Sequence, residues 1–172
     1  MDYSKLTKDA FDAIVTGELT HLTISHEGEV NNIISDYFIG ISGRRSDFER
    51  LFLYRDGLTF QDKIEIIRAM FPLFGELTSS LELKKLINGV EEFKNYRNAM
   101  AHGLSVVDDK SLTLKIEIVS RSGKPKIVTI TPESHNKFYE KGALLFEKLK
   151  KVREEIIRNT GTMVQVHNKI KK

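Results

Sequence analysis

The sequence predicts a mainly α protein, an antiparallel helical bundle with a β-hairpin inserted before its last helix. Three observations predict it. Apolar residues recur at spacings of three and four through most of the 172 residues. Between residues 112 and 130 the period changes to two. At Thr131-Pro132-Glu133 an N-cap residue, a proline at the first helical position and an acid in the first turn open a long helical run.

Taken in order, residues 3–15 read as a first short helix, with Leu6, Ala10, Phe11, Ile14 and Val15 on its apolar face and Gly17 and Thr20 interrupting it. A second helix is expected from Gly28 to Ile41, its core face being Val30, Ile33, Ile34, Tyr37, Phe38 and Ile41. Gly40 and Gly43 loosen its end. Asp47 to Arg55 forms a helix carrying Phe48, Leu51 and Phe52, stopped by Asp56-Gly57. Thr59 caps the next, which runs through Ile64, Ile67, Met70 and Phe71. Pro72, Gly75 and Ser79 mark a break, and Ser79 with Glu82 suits a capping box for a helix covering most of residues 80–102. Leu112–Ser120 and Lys126–Ile130 alternate as two strands around the turn residues Ser122-Gly123-Lys124-Pro125, and Ser105-Val106-Val107 suggests a short third strand. In the last helix Phe138, Gly142, Leu145, Leu149, Val152 and Ile156 make one seam. Residues 1–160 read as one domain, and 161–172 as a loose basic tail beginning at Thr160-Gly161-Thr162.

Composition narrows the chemistry. Apolar residues are 40% and charged residues 30%, ordinary for a globular protein, and there is no cysteine to form a disulfide or thiolate site. No apolar run reaches membrane-spanning length and the N-terminus lacks a signal peptide's hydrophobic centre, so a cytoplasmic protein without membrane contact is expected. The formal charge of +3 is uneven. Residues 1–40 carry two basic against seven acidic side chains, and residues 137–172 carry ten against four. A basic C-terminal third attracts polyanions, but the solvated face of a helix accounts for it as well. The five histidines are scattered without zinc-ligand spacing, and single glycines make neither a Walker loop nor a dinucleotide fingerprint. No cofactor or metal is expected. Arg44, Arg45, Arg50 and Arg55 cluster beside Asp47, Glu49 and Asp56, which favours locally paired surface charges over a phosphate groove.

The chemistry concentrates at Glu91-Glu92-Phe93-Lys94-Asn95-Tyr96-Arg97-Asn98-Ala99-Met100-Ala101-His102-Gly103. Leu86, Val90, Phe93, Arg97 and Met100 lie on one helical seam, so an arginine occupies a position where the pattern asks for an apolar residue. Glu91, Asn95, Asn98 and His102 make a polar stripe beside it, and Gly103 is a natural helix terminator. A fixed cation and a titratable group thus stand about one and a half turns apart, a pairing suited to phosphate chemistry. Each residue also has a plain structural reading. Arg97 pairs with a buried carboxylate, His102 caps its own helix, and Asn98 is a supporting amide.

Arg97-Asn98-Ala99-Met100-Ala101-His102 resembles the R-N-x-x-x-H signature of the HEPN domains, small helical proteins many of which are metal-independent ribonucleases. The resemblance implies a homodimer whose two motifs meet across a two-fold axis and cut RNA at a composite site. His102 would then exchange protons, Arg97 would hold the scissile phosphate, and Asn98 would orient one or the other. It also implies work as a toxin or antiviral-defence effector, with an antitoxin or regulatory protein as partner. One subgroup carries a tyrosine two residues after the histidine, modified by its antitoxin. Leu104 stands there in this chain. The alternative is a non-catalytic HEPN-like module that binds RNA or a nucleotide, or a scaffold dimer.

Overall fold

A computed structural model describes residues 3–74, 80–102, 104–108, 111–119 and 123–170; for Ser4, Leu73, Ser80, Leu81 and residues 159–170 it describes the backbone alone. The chain is mainly helical, with a small antiparallel sheet before its last helix. After a 3-10 turn at Tyr3–Lys5 come α1 (Lys8–Phe38), α2 (Arg45–Phe48) and a π-helical turn at Glu49–Leu53. α3 (Phe60–Met70) and a 3-10 turn at Phe71–Leu73 follow, then α4 (Ser80–Ala101). Strands β1 (Ser105–Asp108), β2 (Thr113–Val119) and β3 (Pro125–Ile130) precede α5 (Pro132–Ile170).

Two expected breaks are absent. α1 runs unbroken for 31 residues through Gly17 and Thr20. A helical glycine costs only about 1 kcal/mol relative to alanine, and a Cβ at Gly17 or Gly28 would meet nothing within 4 Å, so neither glycine marks a bend. The helix ends instead at Gly40, whose φ of +60° is a left-handed stop and whose N–H donates to Ser35 O at 3.0 Å. α5 likewise continues through Thr160-Gly161-Thr162 as far as Ile170. The expected helix over Asp47–Arg55 divides into the short α2 and the π turn, closed by the Tyr54 N–H bonding Glu49 O at 2.8 Å. Thr59 does cap α3, in a full capping box with Asp62. The expected cap at Ser79 and terminator at Gly103 lie outside the described residues.

The strands follow the alternation. β1 pairs β2 and β2 pairs β3, all antiparallel, with Val107 opposite Leu114, Leu114 opposite Ile130 and Ile116 opposite Val128. Val107, Leu114, Ile116 and Ile130 are buried, and the other face carries Val106, Lys115, Glu117 and Ile127, all exposed.

By internal contacts the chain divides into two compact units. One comprises Met1–Ile24 with Val90–Leu144, the other Ser25–Gly89 with Leu145–Lys172. In the first, Phe11, Val15, Leu19, Leu22, Val90 and Phe93 are buried with the inner face of the sheet. Phe93 stacks on Phe138 at 5.0 Å, and Tyr96 meets Phe138 at 5.7 Å. Gly142 is needed at this crossing, because a Cβ there would stand 2.6 Å from Leu22 Cδ1 and 2.8 Å from the Phe93 ring. Buried His135 ties the N-terminal turn to α5. Its Nδ1 is 2.6 Å from the Tyr3 hydroxyl and its Nε2 is 2.8 Å from Glu18 Oε2.

The second unit buries Val30, Ile33, Ile34, Ile64, Ile67, Ile87, Leu149 and Ile156. It also buries charge. Asp36 accepts from Arg45 and, at 2.5 Å, from Arg153 Nε. Lys63 reaches Glu27 Oε1 at 2.6 Å. Such pairs hold helices in register, and losing one partner leaves an uncompensated charge.

Candidate functional site

α4 presents the motif because its buried face weakens toward its end. Val90, Phe93, Tyr96 and Ala99 are buried, whereas Arg97 and Met100 are half-buried. Arg97 continues the direction of Val90 and Phe93 but lies where the cover thins. Asn98 is half-buried, and His102, just beyond the helix, is exposed. The helical turn is nonetheless kept to its end, since the His102 N–H donates to Asn98 O at 3.0 Å and that of Leu104 to Ala99 O at 2.9 Å.

These spacings fix which side chains stand together. Asn98 and His102, four residues apart, share a face. Arg97 and His102, five apart, are offset by about 140° around the axis and about 7.5 Å along it. Among the described residues, none of the three side chains makes a hydrogen bond or ion pair. The carboxylate partner of a structural arginine is therefore not found among the described residues.

The nearest acid upstream with defined partners is Glu92, and it is engaged. It accepts from Lys141 Nζ at 2.6 Å, from Lys126 Nζ at 3.4 Å and from the Tyr96 hydroxyl. Burial pushes the Glu92 carboxyl up, but the hydrogen bonds from Lys141 and Tyr96 and the charges of Lys141 and Lys126 outweigh it and hold the pKa below its ordinary value. Burial, the Glu92 hydrogen bond and its charge all push the Tyr96 phenol up, so it stays a neutral donor. The sequence reading overlooked this cluster. Its signal was weak, because Lys126 and Lys141 are distant in sequence and only the Glu92–Tyr96 spacing of four is local.

Among the described residues no group of three or more His, Asp or Glu is placed to hold a metal ion, and no helix is long and apolar enough to cross a membrane. Comparison with family models, with curated proteins and with solved structures finds no match.

Proposed function

We propose that the chain is a metal-independent endoribonuclease of the HEPN type, acting as a toxin or antiviral-defence effector. The observation that carries the reading is the state of Arg97, Asn98 and His102 at the end of α4. Arg97 and Asn98 are half-buried, His102 is exposed, and none is committed to a partner among the described residues. A scaffold arginine would be locked in a carboxylate pair, and a capping histidine would be bonded to its own helix.

In this reading two copies share the reaction. His102 of one copy takes the proton of the ribose 2′-hydroxyl as O2′ attacks phosphorus. The P–O5′ bond breaks, and the second copy's His102 supplies the proton to the leaving 5′-oxygen. Arg97 holds the non-bridging oxygens as their charge grows. The offset of about 140° between Arg97 and His102 on one helix favours a guanidinium and an imidazole drawn from different copies. An antitoxin or other regulatory protein would cover the same helix end. Asn98, on the His102 face, orients the imidazole.

The test is incubation of purified protein with RNA in chelator. Wild type should yield 2′,3′-cyclic phosphate and 5′-hydroxyl ends and leave DNA of the same sequence whole. His102→Ala should lower the rate by about 10²–10⁴-fold while RNA still binds. Sedimentation should show a dimer at the concentrations where cleavage is seen. RNA left uncut by wild type, with or without divalent metal, would make the binding module the better reading.

A further inference from the structure

The stretch between α1 and α3 gathers open rings and free cations. Leu51, Phe52 and Tyr54 are 56%, 67% and 61% exposed, an unusual concentration for a monomer's surface. The π-helical turn arranges them. An i→i+5 turn takes more than four residues, so side chains four apart nearly eclipse. Phe48 and Phe52 accordingly stack at 5.6 Å with 17° between their planes. Buried Leu53 anchors the turn.

The arginines here are not equivalent. Arg45 is held by Asp36 and Glu49, and Arg50 meets Asp47 at 3.4 Å. Arg44 and Arg55, one on either side of the aromatic run, are exposed and form no ion pair among the described residues. Tyr54 and Arg55 border a shallow, open groove of about 370 Å³, walled also by Glu27, Asp56, Thr59 and Lys63. The ammonium of buried Lys63 lies 5.8 Å from the Tyr54 ring centroid and steadies that ring, most of which stays open.

We infer that this segment is a binding platform for single-stranded RNA. Phe52 and Tyr54 each stack a base, Arg44 and Arg55 hold phosphates, and the open groove beside Tyr54 lets the strand pass. Flat π faces bounded by unpaired guanidinium groups match a polymer that alternates base and phosphate. The choice of RNA over DNA rests on the proposed function, but the platform uses neither Arg97 nor His102.

The experiment is fluorescence anisotropy of the full chain with a labelled 2′-O-methyl RNA 12-mer, which has no free 2′-hydroxyl and so cannot be cut. A DNA 12-mer and a salt titration run beside it. Phe52→Ala and Tyr54→Ala should each weaken RNA binding by about 5- to 150-fold, while Tyr54→Phe keeps it. Arg44→Ala and Arg55→Ala should each reduce the slope of log affinity against log salt by about 0.7. Circular dichroism should be unchanged, since all four side chains are exposed. Wild-type affinity in both ring variants, no RNA binding by wild type, or preference for DNA would overturn the platform. So would ring variants that keep RNA affinity but lose self-association or a protein partner, which would make the segment a protein interface. The two readings fail separately. A wild type that binds the 12-mer through these rings yet cuts no RNA overturns only the nuclease. One that cuts RNA with the rings irrelevant overturns only the platform.

Discussion

Single side chains divide into those that hold the fold and those left for chemistry. Arg97 is half-buried and has no partner among the described residues, so Arg97→Ala should change stability by no more than about 0.5 kcal/mol, and under the proposed function it should also weaken RNA binding. Thermal melts and anisotropy separate the two. Glu92 belongs with the first. Its pKa is depressed in the fold, so its contribution is present above the unfolded glutamate pKa and is lost as pH falls through the lower folded value. Glu92→Gln should therefore cost about 1 kcal/mol at neutral pH, and the gap from wild type should close in acid. A gap independent of pH would show that Lys141 and Lys126 act on Glu92 by packing alone.

Among the elements, α5 illustrates how tightly a helix can depend on one missing side chain. Gly142→Ala would gain about 1 kcal/mol of helix propensity but drive a methyl into Leu22 and the Phe93 ring. Overpacking of that kind costs about 1–3 kcal/mol, so net destabilisation is expected in denaturant melts. At Gly89 the neighbour is the flexible end of Leu145, so the same change should be close to neutral. The seam that named Gly142 was legible in the sequence, as were the Thr59 cap, the sheet and the motif helix, because each rests on local period or local capping. The continuity of α1 was not. Thr23, His26, Glu29, Asn31, Ser35 and Asp36 are buried along it, and polar residues on a buried face erase the apolar period that marks a helix. The π turn was illegible for a related reason, since its residues, ERLFL, suit an α-helix equally well. At the candidate site, the sequence singled out Arg97, Asn98 and His102. The accessibility of Arg97 was not legible, because it depends on where burial along α4 gives out.

At the scale of the whole molecule, neither compact unit is a continuous stretch of chain. Each is assembled from two segments, and α1, α4 and α5 contribute residues to both. Cleavage in a loop between these helices should therefore not release a unit that stays folded. Limited proteolysis followed by size-exclusion should show nicked fragments co-migrating until denaturant separates them.

The histidine clamp of the first unit has a consequence for the order of synthesis. Tyr3 and Glu18 leave the ribosome more than 100 residues before His135. Until then Tyr3 and Phe11 lack the His135 ring that they meet edge to face at 5.8 and 6.1 Å, and the emerging chain offers them to chaperones. The motif at 97–102 is likewise translated before the helix that completes its unit. The unit that carries the motif is therefore complete only once the first part of α5, up to Leu144, has been made.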